Sequence, residues 1–309
     1  MQVWRGLEEV EGVERSVVTV GNFDGVHRGH QHVIDLVVSR ARETGARSAV
    51  VSFDPHPMSV IHRGSAPLAL TTLDRRLELL AQRGVDTTLV LPFTTDLAHQ
   101  TPEQFVRQVL AEALHATEVR VGQNFRFGHR AAGTVDTLAQ LGPTYGFTSH
   151  PVSLARDEVV WSSTYVRQCL AEGDVAAAAE ALGRLHRIDG PVVQGDQRGR
   201  DLGFPTANLD ADPAIAVPVD GVYAGWLVRA SGERLPAAVS IGTNPTFGGT
   251  SRQVEAYVLD REDLELYGEQ VGVEFLQRLR ETVRFAGVDA LLEQMRRDVE
   301  RARALLVGG

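Results

Sequence analysis

Through about residue 185 the chain alternates short apolar runs with longer segments whose apolar residues recur every three or four positions. The short runs, rich in β-branched residues, predict strands over 17–20, 49–53, 87–91, 118–121 and 148–152. Helical spacing predicts helices over 28–45, 73–84 and 101–115, the last starting at a capping threonine and a first-turn proline. Strands that alternate with helices indicate an α/β fold with a doubly wound parallel sheet.

The pattern changes near residue 186. From 190 to 274 the apolar runs are short, alternate with polar residues and are separated by glycines and prolines, which indicates a small antiparallel β-barrel. Helical spacing returns over 289–306 and predicts a C-terminal helix that packs on this barrel. The sequence therefore predicts two domains, 1–185 and 186–309.

Composition narrows the class of protein. The 309 residues are long for one domain, and the net charge of −9 argues against a dedicated nucleic-acid binder. We see no membrane-length apolar run and no secretory signal, and the single cysteine, Cys169, fits a reducing compartment. We therefore expect a cytoplasmic protein. All 31 basic residues are arginine, which excludes Schiff-base and P-loop lysine chemistry.

The first candidate site is "VTVGNFDGVHRGHQHVI", where a predicted strand passes into a helix. Three glycines at positions 21, 25 and 29 allow a phosphate to approach the backbone, and the helix start supplies N–H donors. His27 and His30 can donate to phosphate oxygens as charge develops on phosphorus. The segment predicts a nucleotidyl-transfer site that works by positioning and electrostatic stabilisation.

The second candidate site is "GDQRGRDLGFPTANLD", with Gly195, Gly199 and Gly203 at four-residue spacing. Thr206 and Asn208 share one side of an extended segment, and their oxygens suit Mg²⁺. Glu255, in the alternating run "QVEAYVLD", is the candidate general base for a kinase reaction. The alternative that Glu255 is only a charged residue on the outward face of its strand stays open. Glu274 is a second candidate for the general base, and we rank it below Glu255.

Four first-half motifs, "GNFDGVHRGHQ", "SFDPHP", "VGQNFRFG" and "SSTYVR", resemble the HxGH-type adenylyltransferase half of the bacterial bifunctional riboflavin kinase/FAD synthetase family. "RGRDLGFPTANL", "GVYAGW", "SIGTNPTFGG" and "VEAYVLD" resemble its kinase half. The motifs follow the family's order over nearly the whole chain. The resemblance implies phosphorylation of riboflavin to FMN in the second half, then adenylylation of FMN by ATP to FAD and pyrophosphate in the first, with Mg²⁺ assistance.

The resemblance assigns roles in the first half. His27 and His30 would hold the ATP phosphates and the transition state, Arg167 the departing pyrophosphate, and Asn124 a phosphate or the flavin nucleotide. The other implied ATP-binding residues are Gly21, Asn22, Phe23, Asp24, Gly29, Ser162, Ser163 and Thr164. The implied flavin-binding residues are Phe53, Pro55, His56, Pro57 and Phe127, with Phe53 as the foremost aromatic contact.

In the second half the resemblance gives Thr206 and Asn208 to Mg–ATP and makes Glu255 the base. The implied ATP-binding residues are Gly195, Gly199, Arg200, Gly203, Pro205, Thr206 and Asn208. His186 and Trp161 depart from the family's usual residues, and "DREDLELYGE" is slightly longer than its usual turn. Three hypotheses stay open: two active halves, one active half beside a binding module, or a nucleotide sensor. A different adenylyl or cytidylyl transferase is open for the first half alone.

Overall fold

The computed structural model describes residues 1–62, 66–153, 161–195, 203–243, 252–261 and 263–307. Their contacts form two compact units, one of residues 1–67 and 73–161, the other of residues 68–72 and 162–309. The sequence assigns 162–185 to the first domain, whereas the contacts group these residues with the barrel. Leu170 O, for example, accepts the Val219 N–H at 2.9 Å.

The first unit is built on a six-stranded parallel sheet in the order β1-β4-β3-β2-β5-β6. The strands are β1 Gln2–Trp4, β2 Ser16–Val20, β3 Arg47–Asp54, β4 Thr87–Pro92, β5 Ala116–Gly122 and β6 Thr148–Val152. All five strands predicted from the sequence are confirmed. β2 is buried along its whole length, which explains its unbroken apolar run.

Helices connect these strands: α1 Arg28–Thr44, α2 Pro57–Ile61, α3 Leu73–Gln82, α4 Thr95–His99, α5 Pro102–Phe105 and α6 Val135–Tyr145. The predicted capping threonine, Thr101, forms a capping box with Gln104, and Pro102 lies in the first turn. The helix predicted over 101–115 starts as α5 but continues as a π-helix over Val106–Ala113. The wider π turn directs Val106, Val109 and Leu110 into the main core of this unit.

In the second unit, the short segment 68–72 is followed by α7 Ser163–Glu172 and α8 Val175–Leu182. A closed antiparallel barrel follows, in the order β10-β11-β8-β7-β12-β9. Its strands are β7 His186–Val193, β8 Ala207–Leu209, β9 Gly221–Arg229, β10 Arg234–Thr243, β11 Arg252–Val258 and β12 Gln270–Arg280. The predicted C-terminal helix is confirmed as α9, Val288–Leu306, whose Ala302 packs against Ala224 and Leu279 of the barrel.

Candidate active sites

The loop between β2 and α1 has unusual backbone geometry. Phe23, Gly25 and Val26 all have positive φ angles, of 50°, 78° and 39°. Such angles are rare for aromatic and β-branched residues, and each costs about 1–3 kcal/mol. Phe23 and Val26 pack into a buried cluster with Ile34, so side-chain packing holds the strained loop in place.

His27 and His30 lie together at the start of α1, with their rings stacked at 3.7 Å. His27 is 4% exposed and caps the helix, because its Nδ1 accepts the His30 N–H at 3.3 Å. The neutral His27 ring therefore carries its proton on Nε2. Gly29 lies close to this ring: a Cβ there would lie 3.1 Å from the His27 ring and 3.2 Å from Trp161 O, so these neighbours would have to shift by a few tenths of an ångström.

The His30 imidazole is neutral near pH 7. Burial, and to a smaller degree His27 and Arg76, lower its pKa well below the usual range. Its Nδ1 is buried and has no hydrogen-bond partner within the described ranges. A neutral imidazole offers one donor and one acceptor, so the pair can donate to an anion without adding two buried cations.

The "SFDPHP" segment continues from β3 at the carboxyl end of the sheet. Phe53 and Phe93 are both partly exposed and meet edge to face at 5.6 Å. The Asp54–Pro55 peptide is cis, and His56 caps α2 by accepting the Met58 N–H. Phe93 directly follows β4 and was not predicted from the sequence, although its position, an aromatic at the end of a neighbouring strand, is a readable signal.

The loop after β5 contains Asn124, Phe125 and Phe127. Asn124 is exposed, whereas Phe127 is 8% exposed and lies in the core against Phe105. Phe125 is partly buried and stacks on Phe127 at 5.4 Å. This packing makes Phe125 the more accessible ring and gives Phe127 a core position.

Arg76 was also missed, although the sequence contains its signal. In "LDRRLELL" it shares the apolar stripe of α3 with Leu73, Leu77 and Leu80, and the structure buries it to 6% exposure. A charged residue on such a stripe needs acceptors inside the fold.

The "SSTYVR" motif lies at the start of α7, in the second unit. Ser162 is the N-cap of this helix, and its Oγ accepts the Tyr165 N–H at 3.1 Å. Ser163 and Thr164 are the first helical residues. Arg167 Nε donates to Leu68 O at 2.6 Å, which fixes the side chain along the short segment 68–72.

Thr206, Asn208 and Glu255 come together in the barrel. Thr206 Oγ1 lies 3.5 Å from Glu255 Oε2, and Asn208 on β8 is the register partner of Glu255 on β11. Ser240 on β10 is the partner of Glu255 on the other side. Ser240 was not predicted from the sequence, because strand register is not readable from one segment.

A cavity of ≈ 690 Å³ opens beside this row. It is lined by five predicted kinase residues, Gly195, Gly203, Pro205, Thr206 and Asn208, together with Tyr267 and others. Its volume suits a nucleotide-sized ligand. The predicted residues Gly199 and Arg200 lie outside the described residues.

The rival acid Glu274 is engaged elsewhere on the barrel. Its Oε2 accepts from Arg234 Nη2 at 2.6 Å, and the Arg234 guanidinium lies 4.4 Å over the Trp226 ring. Both observations support ranking Glu255 above it. Glu255 is partly exposed between buried Val254 and Ala256, so the expected alternation along β11 is present.

The donor set at Thr206 and Asn208 fits Mg²⁺. A hydroxyl and an amide, with a carboxylate next to them, supply hard oxygen ligands and leave most of the coordination to phosphate and water. Among the described residues, no group of three or more His, Cys, Asp or Glu side chains could hold a metal ion.

Two family models match this chain. The model described as FAD synthetase matches residues 10–165, and the model described as riboflavin kinase matches residues 182–306. The bifunctional riboflavin kinase/FMN adenylyltransferase of Escherichia coli (strain K12) is 36% identical over 98% of this chain and 97% of its own length. The chain belongs to this family. The family resemblance seen in the motifs is thereby confirmed.

Further similarities cover nearly the same span. The family member from Pseudomonas fluorescens is 38% identical over 99% of this chain and 98% of its own. A crystal structure titled as a macrolide-efflux protein from Streptococcus pneumoniae superposes with a TM-score of 0.88, at 30% identity over 97% of this chain and 98% of that one. In the described parts of this chain, no helix is both long and apolar enough to cross a bilayer.

Proposed function

We propose that this chain performs both reactions of its family, phosphorylating riboflavin with residues of the barrel and adenylylating FMN with the motif residues of the first half of the sequence. The observation that most directly supports this proposal is the convergence of Thr206, Asn208 and Glu255 beside a nucleotide-sized cavity. The functional boundary is proposed to follow residue 185, although α7 and α8 pack with the barrel and the FAD synthetase model extends into α7.

In the kinase reaction, Glu255 takes the proton of the riboflavin 5′-hydroxyl. The 5′-oxygen then forms a bond to the γ-phosphorus of ATP, and the bond from that phosphorus to the bridging oxygen breaks to release ADP. Thr206 and Asn208 would hold Mg²⁺, which shields phosphate charge when bound. The remaining glycines of the site, Gly195 and Gly203, leave room for the nucleotide along the cavity.

In the adenylyltransferase reaction, an FMN phosphate oxygen forms a bond to the α-phosphorus of ATP, and pyrophosphate leaves. His27 and His30 donate hydrogen bonds to the oxygens on which charge develops, and Arg167 stabilises the leaving pyrophosphate. Asn124 orients the FMN phosphate. Phe53, with its edge-to-face partner Phe93, supplies aromatic surface for the flavin.

We extend the proposal to the setting of these reactions. The substrates are small molecules, without nucleic acid, and the enzyme is a monomer or weak homo-oligomer. The single free cysteine fits the reducing cytoplasm.

The test is chromatography of products after incubation with riboflavin, ATP and Mg²⁺. We expect FAD from the wild type, FMN that accumulates in His27→Ala/His30→Ala, and no product from Glu255→Gln. FMN without FAD from the wild type would leave a kinase beside a binding module. Neither product from folded protein would refute catalysis and favour a nucleotide sensor.

A further inference from the structure

Arg76 is buried on α3, yet its guanidinium faces polar groups at the carboxyl end of the sheet. A single atom, Nη1, donates to Asn22 O at 2.9 Å, Ser52 Oγ at 3.0 Å and Phe53 O at 3.2 Å. Asn22 follows β2, and the other two acceptors lie near the end of β3. One side chain therefore joins the ends of two neighbouring parallel strands.

These two strand ends lead into the two substrate segments of the proposed adenylyltransferase. β2 continues into the nucleotide loop "GNFDGVHRGH", and β3 continues into the flavin segment "SFDPHP". Since Nη1 contacts both, it fixes the separation between them. In-line attack of one substrate on the other depends on that separation, because small errors in position greatly lower the rate.

The charges around Arg76 fit this position. Burial lowers the pKa of Arg76, whereas Asp24 and Asp54 stabilise its cation. The pKa of His30 is lowered by burial, then by His27 and last by Arg76. A guanidinium stays charged even so. Three buried atoms at this edge, Asn22 Oδ1, His30 Nδ1 and Arg76 Nε, have no partner among the described residues. Unpartnered buried polar atoms are unusual, and three of them at one edge are consistent with a site that a ligand or water completes.

We propose that Arg76 is a positioning residue for adenylyl transfer: it holds the nucleotide loop and the flavin segment at the separation that attack of FMN on ATP requires. The inference rests on the proposed adenylyltransferase function. A positioning role differs from a purely structural one in what it changes. When a positioning Arg76 is replaced, each substrate alone still binds normally to its own segment, whereas the reaction between the two substrates slows.

The chain offers matched variants. Arg76→Met keeps the long apolar stem and removes the donors, whereas Arg76→Lys restores one cationic nitrogen with three donors for the same three acceptors. Ser52→Ala is a smaller change that removes one acceptor of Arg76 together with the hydrogen bond that Ser52 Oγ donates to Asn22 O at 3.3 Å. Ser48→Ala is the control, since Ser48 Oγ donates to Asp86 at 2.7 Å near the opposite, amino end of β3.

The experiment measures FMN adenylylation by the full chain, and binding of ATP alone and FMN alone by calorimetry. We expect kcat to fall about 100-fold in Arg76→Met and about tenfold in Ser52→Ala, with each binary Kd within about threefold. Arg76→Lys should recover most of the kcat. Ser48→Ala should melt at a lower temperature but keep the wild-type kcat. Riboflavin kinase activity, measured on the same samples, should stay unchanged throughout.

Two results would overturn the inference. One is a kcat of Arg76→Met within about threefold of the wild-type value. If Arg76→Met does not fold, the same result in Ser52→Ala overturns the inference. The other is a loss of binary binding as large as the loss of kcat, because a merely loosened unit would produce it. If the wild type itself makes FMN but no FAD, the proposed adenylyltransferase function fails instead.

Discussion

Gly195 lies so close to Asn208 that a Cβ at Gly195 would stand 2.5 Å from the Asn208 Cγ. The side chain of Asn208 would have to move, and with it the amide opposite Glu255. The glycine here leaves room for the Asn208 amide, which is a matter of packing and not of backbone conformation.

We expect Gly195→Ala to lower riboflavin kinase kcat about 10- to 100-fold, because the displaced amide no longer holds Mg–ATP in position. FMN adenylylation should be unaffected. Gly287→Ala is the control, since nothing lies within 4 Å of a Cβ at Gly287. Steady-state assays of both reactions check this, and unchanged kinase kinetics in Gly195→Ala would contradict the placement of Asn208 in the site.

We expect Glu255→Gln to reduce kinase kcat about 10²–10⁴-fold, because glutamine cannot take the proton of the acceptor hydroxyl. Glu274→Gln should keep the wild-type kcat, since its carboxylate pairs with a half-exposed Arg234 and such a pair contributes about 0–1 kcal/mol. Product assays started from riboflavin and, separately, from FMN distinguish the two reactions. The reverse ranking of the two variants would make Glu274 the base.

His27 performs two tasks, capping α1 and presenting its imidazole, and a substitution can separate them. Asparagine is a good N-cap, so His27→Asn should retain stability while losing the imidazole donor. We expect FAD formation to fall about 10²–10³-fold with FMN formation unchanged. His27→Ala should lose the same activity and also about 1 kcal/mol of stability. Full FAD formation by His27→Asn would reduce His27 to a helix cap.

His186 should make the barrel unit sensitive to acid. Its ring is buried against Phe275, and Nε2 lies 3.0 Å from Ala216 O. Burial lowers its pKa from 6.5 to about 4, although the Ala216 carbonyl acts in the opposite direction. At a pH between these two pKa values, His186 is protonated in the unfolded chain and neutral in the folded unit. Stability is therefore complete above pH 6.5 and is lost as the pH falls towards 4, by up to about 3 kcal/mol.

His186→Phe tests this dependence. We expect it to be about 1 kcal/mol less stable than the wild type at pH 7, because the bond to Ala216 is lost. Between pH 6.5 and 4.5 its stability should decline less steeply than that of the wild type. Thermal melts of the full chain, with the barrel transition identified by loss of kinase activity, measure both slopes. If the stability of the wild type and of His186→Phe declined equally steeply as the pH falls, groups other than His186 would govern the acid sensitivity.

The sequence alone determined the type and order of the elements. Periods of two and of three to four residues record which face of each strand or helix is buried, so the parallel sheet, the barrel and α9 were all predicted. The motif residues could also be identified from the sequence. The helix start and the imidazoles of His27 and His30 are neighbours along the chain, so they offer hydrogen-bond donors to a phosphate whatever the rest of the fold is. The cap at Ser162 and the capping box at Thr101 are local for the same reason.

Only the tertiary structure decided what those faces contact. Periodicity marks Arg76 as facing inward but does not reveal that it meets Asn22, Ser52 and Phe53. The pairing of Ser240 with Glu255, the meeting of Phe53 with Phe93 and the grouping of α7 and α8 with the barrel depend on partners distant in the chain. Burial is recorded locally in a sequence, whereas the partner across a sheet edge or a helix interface is set by register and packing.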